Sequence, residues 1–84
     1  MVTVRVLYFA VAREVANTSE ESIELPEAAA TSDLISIIVA RHPKLQGVLT
    51  SCVLSLNQEY LSRGQSVALK DNDEVAIIPP LSGG

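Results

Sequence analysis

The sequence predicts an α+β roll: a mixed sheet with one main helix laid across it. Three observations predict it. Apolar residues alternate along a first segment, Val2 to Phe9, and crowd a last one, Glu74 to Ile78, as strands at both ends of the chain require. A single segment, Thr31 to Arg41, spaces its apolar residues as a long helix does. Around it lie short β-rich pieces set off by turn residues, so the order is hairpin, long helix, further strands.

In the first strand Val2, Val4, Val6 and Tyr8 point one way, and Thr3, Arg5, Leu7 and Phe9 the other. The first set is apolar apart from one hydroxyl and is the expected core face. Ala10 to Ala16 reads as a short helix, and Glu21 to Leu25 as a second strand closed by Pro26. The main helix is expected to start with Thr31 or Ser32 as its cap, aided by the charge of Asp33. Leu34, Ile37, Ile38 and Arg41 share helical spacing, with Ile35 and Val39 widening the stripe. His42-Pro43 ends the helix, because a residue before proline is pushed out of the α region. Lys44 to Ser51 fits either a loop or another helical turn. Cys52 to Leu56 reads as a strand, Asn57-Gln58 as a hairpin turn, and Tyr60-Leu61 as the start of the return. Val67 to Leu69 is a short extended piece. Asp71-Asn72-Asp73 is a turn in which Asn72 best tolerates positive φ. The two terminal strands, both strongly apolar, are expected side by side and parallel at the sheet centre.

Composition narrows the function. An 84-residue chain that is 48% hydrophobic folds as one domain, with little room for an enclosed active site. The net charge is −4 and the basic residues, Arg5, Arg13, Arg41, Lys44, Arg63 and Lys70, are scattered, so no nucleic-acid partner is expected. Cys52 is the only cysteine, which excludes an internal disulfide and argues against a thiolate metal site. It reads as a small buried hydrophobe. His42, the lone histidine, has no evident second ligand and reads as structural; no metal is expected. Glu20, Glu21, Glu24 and Glu27 read as a solvated edge. No signal peptide and no apolar run near the ~20 residues of a membrane span is visible, so the expected location is the cytoplasm, away from membranes.

The chemistry points to the last six residues, Pro79-Pro80-Leu81-Ser82-Gly83-Gly84. Prolines cannot donate to a ladder and hold the exit extended. Glycine lacks Cβ, so the tip passes channels closed to other residues and takes any backbone angle a partner demands. The expected organisation is a folded body over residues 1–78 and an extended, flexible Gly-Gly tail over 79–84. On this reading the working group is the carboxyl of Gly84, activated in a partner's site by attack on the α-phosphate of ATP. A sulfide equivalent then displaces AMP from the adenylate and leaves a thiocarboxylate. Leu7, Phe9 and Ile78 fall off the core face of the two central strands and are the candidate partner surface. Arg13 follows on the short helix as a candidate pair for a partner carboxylate.

Leu7-Tyr8-Phe9-Ala10 with Arg13-Glu14, the Asn57-Gln58 turn, and the block Asp71 to Gly84 together resemble the small, sulfur-carrier subunits of molybdopterin synthase. Residues 15–50 match in pattern only. The resemblance implies a β-grasp (ubiquitin-like) fold and a heterotetramer of two small and two large subunits. It implies that the tail enters a large-subunit pocket and there gives sulfur to cyclic pyranopterin monophosphate, forming molybdopterin for the molybdenum cofactor. Catalytic side chains then belong to the large subunit; this chain is no enzyme by itself and binds no cofactor. ATP is used by an E1-like adenylating enzyme. Asn72 stands where such proteins often carry glycine, and Ile77-Ile78 where many carry aromatics. A ubiquitin-like protein modifier, a thiamine-type sulfur carrier and a plain β-grasp adaptor are the alternative readings.

Overall fold

The computed structural model describes residues 1–62 and 64–80. Its elements are β1 (Val2–Tyr8), α1 (Ala10–Ala16), β2 (Glu20–Leu25), α2 (Thr31–Arg41), α3 (Leu45–Leu49), β3 (Val53–Leu56), β4 (Glu59–Tyr60) and β5 (Glu74–Ile78). The ambiguous stretch after His42 thus resolves as the short helix α3. The strands form one sheet in the order β2-β1-β5-β3-β4. At its centre β1 and β5 run parallel, with Val6 opposite Val75 and Tyr8 opposite Ile77. The other pairings are antiparallel. This is the predicted mixed sheet.

Period-two alternation divides the sheet into two faces. Val4, Val6, Tyr8, Ile23, Leu25, Val75 and Ile77 are buried in one cluster with Ala12 and Ala16 of α1, Leu34 and Ile38 of α2, and Leu45 of α3. All three helices therefore lie on the same face. Val2, assigned to the core by its alternation, is only half-buried at the strand end.

The α2 cap differs from expectation. Thr31 is inside the helix, and Ala30 is the N-cap with no side-chain capping bond of its own. Asp33 reaches back to accept the Ala30 N–H at 2.8 Å. The Thr31 hydroxyl is occupied elsewhere: it accepts the Val67 N–H at 3.1 Å, while the Thr31 N–H donates to the Val67 carbonyl at 2.9 Å. With Leu69 N–H donating to the Ala29 carbonyl, this pins the extended piece 67–69 to the start of α2. A buried threonine facing a neighbouring extended segment bonds that segment's backbone rather than capping its own helix.

Two turns behave as the sequence suggests. Asn57 and Gln58 both have positive φ, 51° and 72°, as a two-residue hairpin turn requires, though the return strand begins at Glu59. Asn57 also donates to Asp73 at 3.0 Å and accepts the Glu74 N–H at 2.9 Å, tying the hairpin to the root of β5. Asn72 has φ 71°. Among the described residues no helix is long and apolar enough to cross a membrane.

Candidate functional site

The sheet face opposite the helices is built by the residues that alternate out of the core. Thr3, Arg5 and Leu7 of β1 lie there, continued by Phe9 just past the strand. Beside them stand Glu74, Ala76 and Ile78 of β5, Val53 and Ser55 of β3, and Tyr60 of β4. The register sets Leu7 opposite Ala76, Ala76 opposite Ser55, Val53 opposite Ile78 and Ser55 opposite Tyr60. Ala76 and Ser55 are small and buried and form a floor. Around it Phe9 is 46% exposed, Val53 41% and Tyr60 74%, while Leu7 and Ile78 are half-buried. The face is apolar at the end where β1 and β5 finish. It is charged at the other, where Arg5 lies 3.6 Å from Glu74, and along the β2 edge, where Glu20 stands opposite Leu7 and 3.8 Å from Arg5.

Leu7, Phe9 and Ile78 are therefore brought together on one surface, as their alternation suggested. Arg13 is exposed in the last turn of α1. Val53 and Tyr60 were not singled out from sequence. The signal was present: a two-residue turn at Asn57-Gln58 fixes Ser55 opposite Tyr60, and alternation then puts Val53 on the same face.

The tail leaves the sheet at its centre. Pro79, the first residue assigned to the tail, is buried, and Pro80 is exposed. Leu81, Ser82, Gly83 and Gly84, the rest of the proposed working segment, lie outside the described residues, as does Arg63.

The remaining candidates become structural parts. Glu21 is not a solvated acid; its position faces the core side of β2 and it is half-buried. It accepts the Tyr8 hydroxyl at 3.0 Å, lies 3.2 Å from the Nε2 of His42, and lies 3.8 Å from the guanidinium of Arg41. The lone histidine thus has a partner, and its ring meets that of Tyr8 edge-on at 5.9 Å. Sequence spacing hid this group because β2 and the end of α2 meet only in the fold. Burial, with the Glu21 charge and hydrogen bond adding to it, pushes the Tyr8 phenol well above its usual ionisation range. Cys52 precedes β3, half-buried, with its thiol donating to the Val48 carbonyl at 3.1 Å. Burial raises its ionisation point, which opposes a reactive thiolate. The hollow beside it, lined by Ile35, Leu49, Leu54 and Leu61, measures about 200 Å³, below the ~300–1,000 Å³ of small-molecule sites. Among the described residues no cluster of His, Cys, Asp and Glu could hold a metal ion.

Similarity to known proteins runs the length of the chain. The ThiS family pattern matches residues 6–84. A molybdopterin synthase sulfur carrier subunit of Chlamydomonas reinhardtii is 56% identical over 81 residues, covering 96% of this chain and 98% of that protein. A putative molybdopterin converting factor, subunit 1, from Pyrococcus furiosus superposes with a TM-score of 0.84 at 37% identity, over 96% of this chain and 100% of that one. SAMP1 from Haloferax volcanii also superposes at 0.84, with 27% identity over 98% of this chain and 99% of that one.

Proposed function

The chain belongs to the ThiS family, and from that premise we propose that it is the sulfur-carrier subunit of a molybdopterin synthase, working in the cytoplasm. The observation that carries this reading is identity to the Chlamydomonas carrier subunit at more than half of the aligned positions, along nearly all of both chains. The geometry supports it in two ways. A central strand feeds directly into Pro79 and Pro80, so the tail starts from a firm base. Beside that base lies an apolar, helix-free surface fit to dock on a partner.

The Gly84 carboxylate attacks the α-phosphate of ATP in the site of an adenylating enzyme, and pyrophosphate leaves. A poor electrophile becomes a mixed anhydride. Attack by a sulfide equivalent releases AMP and leaves sulfur in place of one carboxyl oxygen. The thiocarboxylate is then carried into the large subunit, where cyclic pyranopterin monophosphate receives the sulfur. The chain itself contributes position and reach, and the large subunit the catalytic side chains. Leu7, Phe9, Ile78, Val53 and Tyr60 form the contact, and Arg13, exposed on α1 one turn after Phe9, is the candidate pair for a partner carboxylate.

The likeness to SAMP1, a small archaeal modifier protein, keeps protein conjugation as a second reading. One reconstitution separates them. The chain is incubated with an adenylating enzyme, ATP, a sulfur source, the large subunit and the pyranopterin precursor. Molybdopterin formation is expected. Lysine conjugates without molybdopterin would instead mark a modifier, and neither product a plain adaptor.

A further inference from the structure

The corner between β1 and α1 carries an unusual backbone. Ala10 opens α1 with φ 52°, a left-handed angle that brings an L-residue's Cβ against backbone oxygen. Its side chain is exposed, so no burial offsets that strain. Of the other left-handed residues besides glycine, 17, 57 and 72 are asparagine, which tolerates the angle better, while Ala28 and Gln58 are not.

The residue this corner fixes is Phe9. Phe9 is extended, with φ −119° and ψ 151°. Its N–H donates to the Ile77 carbonyl of β5 at 3.3 Å. Its carbonyl accepts the N–H groups of Ala12 at 3.0 Å and Arg13 at 3.4 Å, the first turn of α1. One residue is therefore held by the tail-bearing strand on one side and by a helix on the other. Ile77 is two residues before Pro79, so the exposed Phe9 ring and the root of the tail share one backbone link. The reversal at Ala10 is what lets both ends of Phe9 be held at once.

We propose that Ala10 is a positioning residue: its left-handed corner ties the Phe9 ring to the tail root, so that a partner gripping the ring also sets where the tail enters. The inference rests on the sulfur-carrier reading and adds to it a reason why docking and delivery are coupled.

A matched control exists in the same chain. Ala28 is also exposed and left-handed, with φ 70°, but it follows β2, whose end lies beside Val2 at the opposite end of β1. A β-branched residue is strongly disfavoured at such an angle, so Ala10→Val and Ala28→Val should both lower the melting temperature. Sulfur transfer to the large subunit is then measured well below both melts, with the carrier loaded beforehand as thiocarboxylate. Ala10→Val is expected to lower kcat at saturating carrier on the order of tenfold or more, since reacting groups are sensitive to displacements of about 1 Å. Ala28→Val and the permissive Ala10→Gly should transfer like wild type. Equal kcat for folded Ala10→Val and wild type, or an equal fall in Ala28→Val, overturns the proposal. Should Ala10→Val not fold, a glycine inserted between Ala10 and Val11 loosens the corner without strain; unchanged kcat there overturns it as well. Amide exchange at Phe9 is read in parallel. If wild type transfers nothing, the carrier reading fails, and faster exchange at Phe9 in Ala10→Val than in Ala28→Val still decides whether the corner holds the link.

Discussion

On the covered face of the sheet Val6, Tyr8, Val75 and Ile77 are sealed beneath helices; one position along the same strands, Leu7, Phe9 and Ile78 retain open surface. Both sets are large and apolar, and they differ in what covers them. On the covered face the chain supplies its own cover, and burial of each such side chain stabilises the fold by about 1.5–3 kcal/mol. On the bare face no element among the described residues lies over them, and on the proposed reading the large subunit supplies the cover. The proposed function thus divides labour between the faces, one for folding and one for docking, although β1 and β5 build both.

A charge placed on each face tests that division most severely. Ile77→Asp puts an unpaired carboxylate into the core, at a cost of several kcal/mol against a total stability of about 5–15 kcal/mol. The variant is expected to lose cooperative unfolding by circular dichroism. Phe9→Asp and Ile78→Asp should melt close to wild type yet bind the large subunit at least ~30-fold more weakly, a loss of about 2 kcal/mol as expected of a central anchor, read by calorimetry. A core-like melt for either would erase the distinction between the faces.

A smaller effect is expected at the polar group under the covered face. Glu21→Ala orphans the Tyr8 hydroxyl and should cost about 1–3 kcal/mol in denaturant unfolding while leaving partner affinity unchanged. Tyr8→Phe sharpens this through pH. An unfolded tyrosine ionises near 10, and Tyr8 holds its proton to higher pH in the fold. Above about pH 10 the folded state therefore binds more protons than the unfolded one, and the stability from Tyr8 is lost as pH rises. The gap between wild type and Tyr8→Phe should be full below pH 10 and shrink above it. The smallest effect belongs to Asn72→Gly: the left-handed angle is already tolerated, so the melt should move by the equivalent of only a few tenths of a kcal/mol.

The face division was largely legible in the sequence because alternation is a local property. Val4, Val6 and Tyr8 against Leu7 and Phe9 can be read from one strand alone, and the crowding of Glu74 to Ile78 pointed to a central partner. What the sequence concealed depends on contacts between distant segments. Glu21 looked like one of a run of surface acids until β2 brought it to Tyr8, His42 and Arg41. Thr31 looked like a helix cap until Val67 took its hydroxyl. Val53 and Tyr60 were legible relative to each other through the Asn57-Gln58 turn, but which face they share with Leu7 and Ile78 depends on the pairing of β3 with β5. The strained angle at Ala10 has no sequence signal, since alanine is an ordinary helix former.

The central claim is that the Gly84 carboxyl, four residues beyond Pro80 in the sequence, carries the sulfur. It is tested most directly by the intact mass of the chain after incubation with an adenylating enzyme, ATP and a sulfur source, with the sulfur located by fragmentation. The account predicts a gain equal to one oxygen replaced by one sulfur, on the terminal residue, with no gain in a chain lacking Gly84. That deletion shortens the tail by up to ~3.3–3.6 Å, enough to withdraw the reacting carbon. An unchanged wild-type mass under conditions that load a known carrier, or sulfur located on Cys52, would contradict it.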